Sequence, residues 1–499
     1  MSNIQKLAGQ TIWYGLSSIA ARFINYLLTP YLTYKFSNAE YGEMSNVYSF
    51  LPIINVLVMH GMETVFFRFS NTKENSEQVH SNTSISIIVS VFLIALLLFI
   101  FPLPIAQLLK INNHVEYVYM IAFIVGFDAL SSIPFAKLRQ EGKPIKFAFV
   151  RISGIIINIV VIYFFLSICP KLIKEKPDHW ITNWYKKDWA IGYVLLANLI
   201  QAFCTFLLLA KTFLSFKFQF HTQLWKEMML YGLPIIIAGL GGMINETFDR
   251  IMLSWWAPVA TEAAAKAEVG IYSACYKLAI LISLAVQAFK MGAEPFFFKQ
   301  AQEQNAPKNY ARVMKFFVIV LSFMFLVVAL YINIWKHFID KKMHEGLRVV
   351  PILLMANIFL GIYYNLSVWY KLGKKTIAGA YITLIGAAIT ILINYTLIPH
   401  FSYMACAWAT FFCYGTMMVI SYQWGQKNYY IPYATKKLLA YLVLVTLIFF
   451  VHTTITKWIT NTYFNYGLAT FLLLGYTAFV MKIEKNELKK MPIIVKLIQ

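Results

Sequence analysis

Ionisable side chains lie inside long apolar segments of this sequence, where a charge costs at least about 2.5–3.5 kcal/mol. Arg22 is near the middle of the first such segment, and polar residues, Asn25 among them, recur around it at spacings of three and four. This spacing places them on one face of a helix. Because a polar face avoids lipid, we expect Arg22 and Asn25 to line a water-filled cavity that binds an anion. The competing interpretation is a structural ion pair within the helix bundle.

Lys277 is a second basic residue of this kind. It has no acidic residue three or four positions away, so its partner must be another helix, water or a ligand. Lys290 falls in the same arc of that helix, but Glu294 follows four residues later, and a local salt bridge is favoured there. An unpaired basic residue in a cavity favours an anionic substrate.

A third group of charges, Glu246, Asp249 and Arg250, lies in the seventh apolar segment. Glu246 and Arg250 are four residues apart and can pair with each other, which leaves Asp249 as the excess charge. This group is either an internally neutralised helix end or a gating or coupling device, and Arg250 is also a candidate ligand for an anion.

Three further residues are candidates for coupling or gating. His60 and Glu63 are predicted to share a face of the second segment, and Asp128 lies near the middle of the fourth. Such groups can relay a proton, although Asp128 could equally neutralise Arg22 or Lys277. One His and one Glu do not make a zinc site, and the sequence contains no phosphate-binding glycine loop, nucleophile elbow or metal-binding histidine pair. We therefore expect no catalytic residue, no metal and no cofactor.

The segments that carry these residues define the fold class. Of the 499 residues, 59% are hydrophobic and only 13% are charged, whereas soluble domains carry about 25% charged residues. The longest connection, 170–188, has no room for a catalytic domain. Segments of about 20 apolar residues predict an all-α polytopic membrane protein with fourteen transmembrane helices, at 7–34, 42–67, 83–108, 115–136, 147–168, 189–210, 227–256, 267–296, 313–335, 349–370, 376–399, 402–425, 437–452 and 461–481.

The formal net charge of +21 would suggest nucleic-acid binding in a soluble protein. In a membrane protein, basic loops that face the anionic cytoplasmic leaflet account for much of it. Lys and Arg are concentrated in 137–146, 371–375 and 482–496, which lie on the side that also holds the N-terminus. We therefore predict that both termini are cytoplasmic and that nucleic acid is not a partner.

An internal repeat indicates how the segments are arranged. Ala-Glu-Tyr-Gly at 39–42 recurs as Ala-Glu-Val-Gly at 267–270, six segments later. An even offset keeps both copies in the same orientation, which predicts a parallel duplication with a cavity between two lobes. We expect Arg22 and Lys277 to line that cavity. The predicted parts are two pseudo-symmetric six-helix lobes at 1–213 and 224–427, an additional helix pair at 434–482 and a basic cytoplasmic tail at 483–499.

Several stretches resemble the polysaccharide flippase branch of the multidrug/oligosaccharidyl-lipid/polysaccharide exporter superfamily. Asp-Arg-Ile-Met-Leu at 249–253, followed by Val-Gly-Ile-Tyr-Ser-Ala-Cys-Tyr-Lys-Leu-Ala at 269–279, is similar to a run found in flippases for O-antigen-type lipid-linked oligosaccharides. Weaker similarities are Ala-Glu-Tyr-Gly at 39–42, Gly-Lys-Lys at 373–375 and Ala-Trp-Ala-Thr at 407–410.

This resemblance implies two six-helix lobes in a V, alternating access and no enzyme chemistry. The implied substrate is an undecaprenyl-pyrophosphate-linked oligosaccharide, such as a repeat unit of O-antigen (lipopolysaccharide), capsule or exopolysaccharide, which crosses the bacterial cytoplasmic (inner) membrane. The additional helix pair resembles that of lipid II flippases, in which it forms a groove for the polyprenyl tail. Implied partners are this glycan lipid, membrane lipids and other polysaccharide-assembly proteins.

A pyrophosphate needs basic donors, and Arg22, Arg250 and Lys277 are candidates. A carboxylate that ionises after substrate binding could compete for these cations, so we hypothesise antiport coupled to a proton or sodium ion, with Asp128 or Asp249 as the coupling group. Two alternatives remain. A multidrug/cation antiporter of the same superfamily should have an acidic cavity, and a membrane-embedded glycan polymerase or ligase would use the same lipid.

Overall fold

The computed structural model describes residues 19–20, 22–70, 73–111, 113–301, 303–373, 375–459 and 461–488. Every regular element in this part of the chain is helical. In chain order the α-helices are α1 (22–35), α2 (Asn38–Met59), α3 (Met62–Phe69), α4 (Lys73–Ile100), α5 (Pro102–Leu108), α6 (Glu116–Gln140), α7 (Pro144–Tyr163), α8 (Cys169–Glu175), α9 (Ala190–Phe213), α10 (Thr222–Trp256), α11 (Glu262–Gln300), α12 (Ala306–Ala329), α13 (Ile332–Trp335), α14 (Val350–Leu366), α15 (Val368–Leu372), α16 (Thr376–Phe401), α17 (Tyr403–Asn428), α18 (Thr435–Trp458), α19 (Thr462–Ile483) and α20 (Lys485–Leu488).

The membrane-spanning segments agree with those predicted from apolar length. Among the described residues, thirteen helical segments are long and apolar enough to cross a membrane, and they coincide with the predicted segments from the second to the fourteenth. The first predicted segment, 7–34, lies mostly outside the described residues, and its described part belongs to α1. The predicted tail is described only as far as residue 488. The prediction of an all-α polytopic membrane protein is confirmed.

The chain divides into two units. Unit 1 lies within 1–274 and 376–413, and unit 2 lies within 275–375 and 414–499. In unit 1, α10 packs against α16 and α2, and α6 packs against α9 and α4; in unit 2, α12 packs against α14, α18 and α19. The predicted lobes, 1–213 and 224–427, were defined by the sequence repeat and not by contacts, and they stay a prediction.

The second predicted segment is two helices, because the backbone turns left-handed between α2 and α3. His60 has a φ of 31° and Gly61 a φ of 74°. Glycine adopts this conformation without steric cost, and a Cβ at Gly61 would also lie only 3.3 Å from the side chain of Ile235 on α10. Pro52 remains inside α2. The chain therefore changes direction at Gly61 and not at Pro52.

The two copies of the sequence repeat touch each other through their glycines. A Cβ at Gly42 would overlap the carbonyl oxygen of Lys266, and a Cβ at Gly270 would overlap that of Asn38. In the repeat, Gly42 corresponds to Gly270 and Asn38 to Lys266, so the contact is reciprocal, as it is between copies related by a two-fold axis. A hydrogen bond of 2.9 Å from Lys266 Nζ to Glu43 Oε2 flanks it. Backbone thus packs on backbone where the first turns of α2 meet α11.

Candidate functional site

Unit 1 contains a polar cavity of about 380 Å³. It is lined by residues of α1, α2, α3, α6, α7 and α9, so distant parts of the sequence converge on it. The lining residues comprise charged, uncharged polar and apolar groups: Arg22, Asn25, Asn55, Met59, Glu63, Asp128, Ser131, Ser132, Phe135, Arg139, Phe147, Arg151, Ile155, Gln201 and Thr205.

Five charges give the cavity a positive excess of one. Arg22, Arg139 and Arg151 supply three positive charges, and Glu63 and Asp128 supply two negative ones. The guanidinium of Arg139 forms an ion pair with Glu63. Among the charged groups that act on Arg151, the strongest attraction comes from Asp128. Because Arg139 and Glu63 largely compensate each other, the excess charge resides with Arg22 and Arg151.

Two aromatic rings hold Arg151 at the cavity wall. Its guanidinium carbon lies 4.4 Å from the ring centre of Phe135 and 5.8 Å from that of Phe147. Guanidinium groups are attracted to aromatic faces at such distances, and this contact leaves their N–H groups directed outward along the plane. Arg151 is therefore positioned to donate hydrogen bonds to an anion.

Uncharged donors and acceptors complete the lining. The Oδ1 atom of Asn55 and the Oγ atom of Ser131 are buried and have no hydrogen-bond partner among the described residues. Ser132 donates to the carbonyl of Ala129. Buried polar atoms are nearly always hydrogen-bonded in native proteins, so the free atoms of Asn55 and Ser131 have capacity for water or for a ligand.

The structure brings together four of the predicted site residues: Arg22, Asn25, Glu63 and Asp128 all line this cavity. His60 does not join them. Its Nε2 contacts Ser86 Oγ at 2.8 Å and its Nδ1 contacts the carbonyl of Val58 at 2.7 Å. The prediction that His60 and Glu63 share a helical face is wrong. His60 ends α2 and Glu63 is in the first turn of α3, and the left-handed break lies between them.

Arg139 and Arg151 are residues of the site that were not predicted from the sequence. Arg139 is in the last turn of α6 and Arg151 is two turns into α7, and basic residues are common toward the ends of membrane helices. A signal for Arg151 was present: Phe147 precedes it by four residues, and residues four apart are neighbours on a helix.

A separate buried cluster contains Asp249 and Arg250. Oδ1 of Asp249 accepts hydrogen bonds from the backbone N–H of Arg250 at 2.8 Å and from its guanidinium at 3.1 Å. The hydroxyl of Tyr272 on α11 donates to Oδ2 at 2.6 Å. The same guanidinium also donates to the backbone carbonyl of Glu246 at 2.9 Å. The prediction that Asp249 would be the excess charge is wrong, since it is only 2% exposed and fully engaged.

The remaining basic candidates lie on the part of α11 that belongs to unit 2. Lys277 is half-buried there. The ammonium of Lys290 lies 4.6 Å from the ring centre of Tyr364 and lines a small pocket with Asn365. The side chain of Glu294 is outside the described part of the chain, so its salt bridge with Lys290 stays a prediction. The same holds for a cavity shared by Arg22 and Lys277.

Comparison with known structures identifies the fold. The lipid II flippase MurJ in its inward closed conformation aligns with a TM-score of 0.70 and 14% identity, over 95% of this chain and 98% of that one. A multidrug resistance MATE family transporter of the MOP superfamily, in its inward-facing conformation, aligns with a TM-score of 0.61 and 11% identity, over 84% of this chain and 94% of that one.

Sequence comparison gives two relatives in Haemophilus influenzae. "Lsg locus putative protein 1" is 22% identical over 306 residues, which cover 60% of this chain and 68% of the relative. An "Uncharacterized membrane protein" is 20% identical over 360 residues, which cover 72% and 81% respectively. The sequence profile described as "Polysaccharide biosynthesis protein" matches residues 7–300, which is more than half of the chain and includes the whole lining of the polar cavity. The likeness to these solved structures shows the fold of a multi-pass membrane protein, and the profile confirms the family resemblance seen in the sequence: the chain belongs to the polysaccharide biosynthesis protein family.

Proposed function

We propose that this protein translocates an undecaprenyl-pyrophosphate-linked oligosaccharide, a repeat unit of O-antigen, capsule or exopolysaccharide type, across the bacterial cytoplasmic membrane by alternating access. The observation that supports this most strongly is the polar cavity with three arginines in a unit built of membrane-spanning helices. Charged side chains inside a membrane are costly, and they typically mark the pathway of a substrate or an ion. Both termini are cytoplasmic in this proposal, and the substrate enters from the cytoplasmic side.

The lining of the cavity suits a glycan lipid headgroup. Arginine binds phosphate oxygens in a bidentate manner, and Arg22 and Arg151 provide two such groups at the cavity. Asn55, Ser131 and Gln201 offer hydrogen-bonding groups for sugar hydroxyls. The polyprenyl tail can remain in the bilayer throughout. Arg250, Lys277 and Lys290 are proposed as further ligands of the anion.

Coupling to a cation is proposed to act through Asp128, whereas Asn25 is proposed as a further substrate-binding residue of the cavity. Asp128 attracts Arg151, so an ionised Asp128 competes with the substrate for that guanidinium, whereas a protonated or sodium-bound Asp128 does not. Asp249 is already held by Arg250 and Tyr272, so gating is the better role for it.

The remaining candidates fit gating positions. Glu63 holds Arg139 at the cavity, and His60 is at the break between α2 and α3. Glu246 contributes its carbonyl to the buried cluster of α10. With cytoplasmic termini, α2 begins on the outer side of the membrane, so the reciprocal glycine contact lies on that side in this proposal.

Transport in proteoliposomes tests the proposal. The purified protein is reconstituted with a fluorescent undecaprenyl-pyrophosphate disaccharide, and the outward-facing fraction is followed with a membrane-impermeant quencher. We expect Arg22→Gln and Arg151→Gln to slow transport at least about tenfold, since each removes a charge-assisted contact. Arg68→Gln is the matched control, because Arg68 is exposed at the end of α3. Equal rates in all three variants would contradict the proposal.

The same vesicles distinguish the alternatives. Asp128→Asn should make the rate independent of the imposed pH or sodium gradient, and wild-type transport that ignores both gradients would refute coupling. Export of a lipophilic cation in place of the glycan lipid would support the multidrug antiporter. Mass spectrometry should recover the glycan lipid unchanged, whereas a lengthened or transferred glycan would indicate a polymerase or ligase.

A further inference from the structure

Unit 2 contains a cluster of charges where α12 begins and α19 ends. Lys315 on α12 donates to Glu484 Oε2 at 2.5 Å and forms an ion pair of 2.9 Å with Glu487. Lys437 at the start of α18 donates to Glu484 Oε1 at 3.1 Å. The side chains of Lys315 and Glu484 are 6% and 1% exposed. A buried ion pair thus attaches the C-terminal helix pair to α12.

A basic cavity of about 420 Å³ adjoins this cluster. Its charged lining residues are Lys308, Arg312, Lys315 and Glu487. Arg312 forms an ion pair of 3.2 Å with Glu487, whereas Lys308 is exposed and has no ion pair in the described part of the chain. With Lys437 and Glu484 included, four basic groups face two carboxylates. An excess of two positive charges therefore surrounds the cavity.

An apolar groove of about 540 Å³ continues from this cavity. The two share Arg312 and Asn309, and the groove extends along α11 and α12 between Phe289, Phe316 and Val320. Val320 is eight residues beyond Arg312 on α12, which is about 12 Å of helix toward the middle of the span. A positively charged mouth at the helix end and an apolar groove toward the membrane interior have the shape and polarity of a phospholipid.

We propose that this cavity and groove bind an anionic glycerophospholipid of the phosphatidylglycerol or cardiolipin class, with the phosphodiester among Lys308, Arg312 and Lys315 and an acyl chain along Val320. The cavity lies at the membrane face that carries the C-terminal segment, which is the face proposed above to meet the anionic cytoplasmic leaflet. None of its residues belongs to the arginine cavity of unit 1, so the site is additional to the proposed transport function and does not depend on it.

Glu487 competes with this lipid for the basic side chains of the cavity. Its carboxylate contacts Arg312 and Lys315, and its backbone carbonyl accepts a hydrogen bond of 3.0 Å from Arg312. A phosphodiester in the cavity uses the same donors. Lipid binding therefore displaces Glu487, while Glu484 keeps Lys315 paired and the helix pair attached.

Native mass spectrometry of the full-length protein tests the proposal, with dioleoyl phosphatidylglycerol and dioleoyl phosphatidylcholine as probes. In the double variant Lys308→Gln/Arg312→Gln we expect phosphatidylglycerol to bind at least about tenfold more weakly, because two basic groups near the headgroup are lost, and phosphatidylcholine to be unaffected. The matched control is Lys171→Gln/Lys174→Gln, which removes two lysines from α8.

One further variant probes the basic cavity and another probes the apolar groove. Thermal unfolding midpoints are measured to check that every variant is folded. Glu487→Gln should bind phosphatidylglycerol more tightly than wild type, a change that a merely structural role for Glu487 does not predict. Val320→Trp fills the groove and should weaken phosphatidylglycerol without affecting competition by soluble glycerol phosphate. Equal affinity of the double variant and its control, or no preference for phosphatidylglycerol over phosphatidylcholine, would overturn the proposal. So would displacement of phosphatidylglycerol from this site by undecaprenyl phosphate, since that would assign the site to the transported lipid.

Discussion

Replacing Gly42 by alanine should separate α2 from α11 at their reciprocal contact. The added Cβ would overlap the carbonyl oxygen of Lys266 and would lie 2.7 Å from its carbonyl carbon and 2.8 Å from the backbone nitrogen of Gly270. Carbon and oxygen atoms of separate groups approach to about 3.3–3.6 Å, and the overlap with the carbonyl oxygen is the closest of these contacts, so the two backbones must move apart by well over about 1 Å. Backbone atoms cannot yield as a flexible side chain can, and overpacking of this kind costs about 1–3 kcal/mol.

A control on the same chain isolates this cost. Alanine at Gly242 meets no atom within 4 Å, so Gly242→Ala gains only the helix propensity of alanine, up to about 1 kcal/mol. Gly42→Ala gains a similar amount within α2. The difference in unfolding free energy between the two variants is therefore the overpacking cost alone.

The assay is thermal unfolding in detergent, followed by tryptophan fluorescence, together with transport in vesicles. Gly42→Ala should unfold at a lower temperature than Gly242→Ala. It should also transport more slowly, because the contact between α2 and α11 is lost. The double variant Gly42→Ala/Gly270→Ala should be little worse than either single change, since one separation relieves both overlaps. Identical unfolding and transport in Gly42→Ala and Gly242→Ala would refute the reasoning, and additive effects in the double variant would refute the shared contact.

Three other outcomes follow from buried charges. Glu484→Ala should destabilise the protein by about 3 kcal/mol, because it leaves Lys315 buried beside a partly exposed partner, whereas Glu487→Ala should cost less than about 1 kcal/mol in thermal unfolding. Burial raises the pKa of Glu484, but hydrogen bonds from Lys315 and two groups of α18 outweigh burial and hold that pKa below its usual value. Glu484 therefore stabilises the fold above its unfolded pKa of about 4.3, and acidification below that value should lower the unfolding temperature of wild type more than that of Glu484→Gln. Tyr272→Phe should destabilise by about 1–3 kcal/mol through loss of the 2.6 Å hydrogen bond to buried Asp249, and an unchanged unfolding temperature would contradict that assignment.

The helices could be predicted from the sequence because length and hydropathy alone decide which segments can span a bilayer. The part of the site that could be predicted is the part that violates this pattern. Arg22 and Asp128 lie deep in apolar segments, where a charged side chain is costly unless it faces water or a partner. Both line the cavity. Arg139 and Arg151 lie where a basic residue is ordinary, so their inward direction is decided by packing and is not visible in composition.

Other features depend on residues that are distant in sequence. The partner of Asp249 on α11 is Tyr272, and a search at three or four residues along one helix cannot find it. At the break, Ile235 of α10 likewise lies 3.3 Å from where a Cβ of residue 61 would be, so the neighbouring helix leaves little room for a side chain there. In both places the contact is made by a residue of another helix, which a pattern read along one helix does not contain.

The reciprocal glycine contact also has an evolutionary consequence. A contact in which Gly42 meets Lys266 and Gly270 meets Asn38 is self-complementary, so an ancestral chain with a single copy of this turn would make it with a second molecule of itself, as a symmetric homodimer. Fusion of two such copies turns an association between molecules into a contact within one, which no dilution can dissociate. After such a fusion, the side chains around the turn would be free to diverge, and Tyr41 and Val269 differ in this way. Gly42 and Gly270 would not be free to change, since a Cβ at either position would overlap the opposite backbone.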